Sequence, residues 1–152
     1  MPDLRDILEA VQAGSEVETS VETRGFMWSF RIDRADELGL LLSCLTVQAK
    51  SKPANSISRQ TELLSQNLSY LNEGFKLVEP DAVEQMWLFR SVAQQQGRDR
   101  TRYFEIVLSA GSRLSLSHYE FDRVSGQRRI FPANLSMEMF RRLIEDLEVI
   151  LG

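Results

Sequence analysis

Between residues 75 and 121 the chain alternates apolar and polar side chains through four stretches, Phe75–Glu79, Val83–Phe89, Arg102–Leu108 and Leu114–Phe121. A period of two sends successive side chains to opposite faces, so each stretch predicts a strand with one face for a core. The period then changes. Across Ser136–Leu151, the residues Met137, Phe140, Leu143, Ile144, Leu147 and Ile150 recur at helical spacing and predict one apolar stripe. Strands joined by short turns and closed by an amphipathic helix constrain the chain to an antiparallel sheet backed by helices.

The first half predicts related elements. Leu4, Ile7, Leu8 and Val11, after Pro2 and before Gly14, mark a short amphipathic helix. Residues 16–23 alternate, with Val17, Thr19, Val21 and Thr23 opposite Glu16, Glu18, Ser20 and Glu22. Arg24-Gly25 predicts a tight turn with glycine at positive φ. The return strand places Phe26, Trp28, Phe30 and Ile32 on one face. Asp33 suits an N-cap and Asp36 a first turn, and Leu38, Leu41, Leu42 and Leu45 then predict a helix to about Lys50, weakened at Gly39. Residues 51–56 form a flexible linker within a single domain spanning 1–152, and Ile57–Gln66 a short surface helix capped by Ser56.

In the strand block, Glu73-Gly74 predicts a bend and Glu79-Pro80-Asp81-Ala82 a turn with proline second. Gln94–Thr101 reads as a polar loop, and Ala110-Gly111 and Ser125-Gly126 as turns. Pro132 leads into the last helix, with Asn134 or Ser136 as cap. The sum is an α+β fold of about six strands, a hairpin and helix followed by a four-strand meander. Residues 15–50 and 101–151 share the order strand, strand, helix, a weak internal symmetry.

Little here points to catalysis. Cys44 is the only cysteine and His118 the only histidine, which precludes an intrachain disulfide and a Cys/His zinc cluster of about four ligands. The pair could form a thiol–imidazole dyad, but Cys44 sits among leucines and reads better as a small core residue. The acidic groups Glu16/Glu18/Glu22, Asp33/Asp36/Glu37 and Glu145/Asp146/Glu148 read as a strand face, a helix cap and a solvated helix face. No phosphate-binding loop, nucleophile elbow or metalloprotease motif occurs. The expectation is no enzyme, no catalytic residue, no metal and no cofactor. No apolar run reaches the roughly 20 residues of a membrane span, and the N-terminus lacks the basic and apolar regions of a signal peptide. The expected location is therefore the reducing cytoplasm, with no membrane partner.

What remains is binding. Net charge is −4, all of it in the first half. Between Arg98 and Arg129, seven arginines face four acids. Aromatic strand faces can stack unpaired bases while arginines hold phosphates. Arg98, Arg100, Arg102, Tyr103, Tyr119, Arg128 and Arg129 are therefore the candidate contacts with a nucleic acid or protein partner. Phe26, Trp28 and Phe30 read as core instead. The element order resembles two known architectures, the four-strand-plus-helix module of Whirly-type single-stranded nucleic-acid binding proteins and the small acidic dimeric fold of type III secretion chaperones. The first functional expectation is a small non-enzymatic adaptor or chaperone-like module that forms a homodimer and binds another protein. The alternative is a single-stranded DNA or RNA binder, and the third is a small-molecule binder or enzyme with dispersed carboxylates.

Overall fold

The alternating stretches pair into one open antiparallel sheet. The computed structural model describes residues 18–71 and 74–152 together with Arg5, Ile7 and Glu9. The elements run β1 (Glu18–Glu22), β2 (Phe26–Ala35), β3 (Gly39–Ala49), α1 (Ile57–Asn67), β4 (Phe75–Asp81), β5 (Met86–Ser91), β6 (Gln94–Gln96), β7 (Arg100–Ser109), β8 (Arg113–Asp122), β9 (Gln127–Ile130), β10 (Ala133–Ser136) and α2 (Met137–Leu151). The sheet order is β1-β2-β3-β8-β7-β5-β4, with short β6, β9 and β10 paired to β7, β8 and β3. The fold is thus α+β, with ten strands rather than the six that sequence alternation resolves. The four extra strands include three of only three or four residues, too short to show a period.

Register gives the sheet two unlike faces. Trp28, Phe30, Leu45, Val47, Leu114, Leu116, Ile106 and Phe89 lie on one side, the covered face. They form one buried cluster with Leu63, Leu64 and Leu68 from α1 and its end, and Phe140, Leu143, Ile144 and Leu147 from α2. Full burial of each such side chain contributes about 1.5–3 kcal/mol. Ile7 joins this cluster, and Arg5, Ile7 and Glu9 are helical as the N-terminal spacing predicts. Pro2, Leu4, Leu8, Val11, Gly14, Glu16, Val17 and Glu73 lie outside the described residues.

Both helix caps follow the sequence. Ser56 Oγ accepts from the Arg59 amide and Ser136 Oγ from the Met139 amide, each satisfying an amide that the first turn leaves without a partner. The α1 helix is more than a surface element. It buries Gln60, whose side-chain amide donates to the Gly111 carbonyl at 2.7 Å. Ala110 and Gly111 both have positive φ (53° and 69°), which matches a hairpin turn between β7 and β8. Residues 51–56 carry no regular structure. They are tied to the end of α2, since Asn55 Nδ2 donates to the Val149 and Ile150 carbonyls and the Ala54 amide donates to Gly152.

Several expectations are corrected. The helix expected from Asp33 to Lys50 is strand β3, so the two halves do not share a strand–strand–helix order. Leu38, Leu41, Leu42 and Leu45 fit a helical stripe, but a register shift against β2 also lets Leu40, Leu42, Leu45 and Val47 face one side. Pairing with both β2 and β8 makes β3 internal, and an internal strand is apolar enough to mimic a helix. Asp36 does not begin a helix; its carboxylate accepts from the Leu38 and Gly39 amides in the β2–β3 turn. Gly39 is there because β10 comes close, as a Cβ at that position would lie 2.5 Å from the Leu135 carbonyl oxygen. Gly25 is not at positive φ. Pro80 lies inside β4, an edge strand whose unpaired side tolerates a missing amide proton, and the turn follows it. Gln94–Thr101 is a hairpin rather than a plain loop.

Candidate functional site

Opposite the core lies the open face, to which no residue of the buried cluster belongs. Its middle rows are small, with Cys44 and Thr46 on β3 opposite Ser117 and Ser115 on β8. Beside them come Val107, Glu105 and Tyr103 on β7, then Met86, Leu88 and Arg90 on β5. At the far end Tyr119 and Phe121 are followed by Ile130 and Arg128 on β9.

Three β7 residues on this face are nearly inaccessible, Thr101 at 9%, Tyr103 at 8% and Glu105 at 7% exposure. A carboxylate buried at that level needs partners. Arg90 Nε donates to Glu105 at 3.0 Å and Arg128 Nη1 at 2.7 Å. Arg128 also donates to the Tyr103 hydroxyl and lies 4.0 Å above the Tyr119 ring, while Arg90 sits over Tyr103. Tyr103 and Tyr119 contact each other with ring centres 5.9 Å apart. The hydrogen bond from Arg128 to Glu105, then that to Tyr103, raises the Arg128 pKa above its ordinary value and fixes it as a cation. Next to this cluster is a groove of about 420 Å³ lined by Arg90, Thr101, Tyr103, Phe121 and Arg128.

A second cluster surrounds Glu120 on the other side of the same strands. Its carboxylate, 3% exposed, accepts from Arg102 Nε at 2.9 Å and Arg129 Nη2 at 3.0 Å, with Arg100 at 3.6 Å. Burial pushes its pKa up, but the hydrogen bonds and charges of Arg102 and Arg129 outweigh this and hold it below the ordinary carboxylate value. Arg102 also stacks 3.8 Å over the Phe131 ring.

The seven candidate contacts therefore divide. Tyr103, Tyr119 and Arg128 meet on the open face, while Arg100, Arg102 and Arg129 gather on the covered side around Glu120. Arg98 lies in the exposed β6–β7 turn. Sequence reading missed the organising residues, Glu105, Glu120 and Arg90. The only signal for them was a glutamate within an alternating strand, and its partners are set by register with strands about 15 residues away. Cys44 and His118 do not form a dyad. Cys44 pairs with Ser117 on the open face, and His118 points to the covered face beside Phe104. Among the described residues, no three or more His, Cys, Asp or Glu side chains converge to hold a metal, and no helix is long and apolar enough to cross a membrane.

No family model matches the sequence, no curated protein matches it, and no solved structure is significantly similar to the fold.

Proposed function

We propose that this chain is a small non-enzymatic, adaptor- or chaperone-like protein of the cytoplasm, a homodimer that offers the open face of its sheet to another protein. The observation that carries this reading is the character of that face. It displays Met27, Met86, Leu88, Val107, Tyr119 and Phe121 around small central side chains, and Met27 and Met86 are 55% and 43% exposed. Aromatic and methionine side chains beside arginines, rimmed by polar residues, make the composition of a protein interface. The open sheet also leaves β1 and β4 as edges for a second copy.

Light scattering on the purified protein tests the assembly, with twice the chain mass expected. The Met27→Glu/Leu88→Glu double variant is expected to keep its fold and lose partner capture. A monomer at all concentrations overturns the dimer, and capture unaffected by the double variant overturns the surface.

The alternative reading, single-stranded nucleic acid, is favoured by the Tyr103–Tyr119 pair with Arg128 and Arg90 on an accessible face. Its test is fluorescence anisotropy with labelled single strands at roughly 50 and 200 mM salt, where electrostatic binding weakens steeply. Unchanged binding in an Arg90→Ala/Arg128→Ala variant overturns it.

A further inference from the structure

The sheet forks on its covered side. β8 pairs with β3 through Arg113–Ser117, then with β9 from Tyr119 onward. β3 pairs with β8 through Cys44–Gln48 and with β10 through Gly39–Leu42. The segment from β9 through Phe131-Pro132 to β10 is thus a wedge between two strands that are neighbours elsewhere. His118 sits at the fork and pins the wedge. The Phe131 amide donates to the His118 carbonyl at 2.9 Å, and His118 Nδ1 lies 2.6 Å from the Phe131 carbonyl oxygen.

Behind the wedge opens a cleft of about 320 Å³. Small-molecule sites occupy roughly 300–1,000 Å³ and combine apolar walls with a few convergent polar groups. The walls here are Leu71, Phe104, Phe131, Leu135 and Met139, and the polar groups include Arg102, His118 and Gln94. Two of these are set in fixed states. A carbonyl oxygen only accepts, so His118 Nδ1 carries the proton and Nε2 is left as an acceptor on a neutral ring. Burial first, and the charge of Arg102 as well, outweigh the bond to Phe131 and keep the His118 pKa below its ordinary value. Arg102 is held flat between Glu120 and the Phe131 ring through Nε, and among the described residues its Nη groups donate no hydrogen bond. Arg102 brings its positive charge to the cleft, and its Glu120 partner is shared with Arg100 and Arg129, so three arginines surround that one carboxylate.

We propose that this cleft binds a small hydroxycarboxylate, with the carboxylate on Arg102, the hydroxyl donating to His118 Nε2, and an apolar body against Leu71, Leu135 and Met139. Nothing in this site involves the open face, so it stands whether or not that face binds a protein.

His118 is the only histidine, so its imidazole NMR signals are unambiguous. The experiment titrates the intact protein with mandelate, 3-phenyllactate and lactate at constant ionic strength, following those signals. Saturable shifts are expected, at least about tenfold weaker for phenylacetate, which lacks the hydroxyl, and for mandelamide, which lacks the carboxylate. Met139→Trp, which fills the cleft while keeping its polar groups, is expected to abolish the shifts. The proposal is overturned if none of the three hydroxycarboxylates gives a saturable shift below roughly 10 mM. It is equally overturned if mandelamide or chloride acts as well as mandelate, or if Met139→Trp binds undiminished.

Discussion

The two faces of this sheet are built by the same strands and buried by different means. On the covered face, Ile106, Leu108, Leu114 and Leu116 lose their contact with water under two helices, and the stabilisation scales with apolar area. One residue further along the same strands, Glu105 and Tyr103 are almost as inaccessible, yet no helix of the core covers them. They are shielded by their own neighbours, since Arg90 and Arg128 fold over the glutamate and the tyrosines stack beneath. Low accessibility therefore does not by itself define the core. Such an ion cluster fixes side-chain geometry but adds modest net stability, because desolvation offsets most of the attraction.

Four measurements test this contrast. Phe140 is fully buried and meets Phe30 edge-on at 5.5 Å, so Phe140→Ala is expected to cost about 3–5 kcal/mol in urea unfolding. On the other face, Glu105→Gln leaves two half-exposed arginines without their carboxylate and is expected to cost about 1–2 kcal/mol. A loss as large as that of Phe140→Ala would erase the distinction between the faces.

Smaller again is the response to acid. The His118 pKa is lowered on folding, so between that value and the ordinary 6.5 the unfolded chain binds more protons. Its contribution is full above 6.5 and falls as pH drops through that window. Glu120 adds a second loss, full above the ordinary 4.5 and disappearing as pH falls through its lowered folded value. Thermal melts should show two successive acid declines, with only the upper one missing in His118→Gln. A wild-type melting temperature that stays flat between pH 7 and 5 would contradict the neutral ring, values chosen to bracket the ordinary histidine pKa. The smallest expected effect on stability is that of Met27→Lys, within about 0.5 kcal/mol, because the side chain is mostly exposed. A larger loss would mean that the open face is packed rather than presented.

The strand and helix grammar of the second half was legible in the amino-acid order alone. Turns at Ala110-Gly111 and Ser125-Gly126, the Ser136 cap and the α2 stripe all follow from side-chain chemistry within a few residues. That Phe26, Trp28, Phe30 and Ile32 share a face was legible too, because alternation needs no knowledge of partners. Local pattern misassigned β3, whose apolar run fits two periods at once, and carried no trace of β10. Which arginines meet which glutamates came from strand pairing. Arg102 and Tyr103 are adjacent in the chain and lie on opposite sides of the sheet, where register joins Arg102 to the Glu120 carboxylate and Tyr103 to the Arg128 guanidinium. Strand pairing also lets β9 and β10 drive a wedge between β3 and β8, which turns a lone histidine into the corner of a cleft. Local pattern sets which side of a strand a residue faces, but its neighbours there come from pairings fixed by burial of the whole sheet.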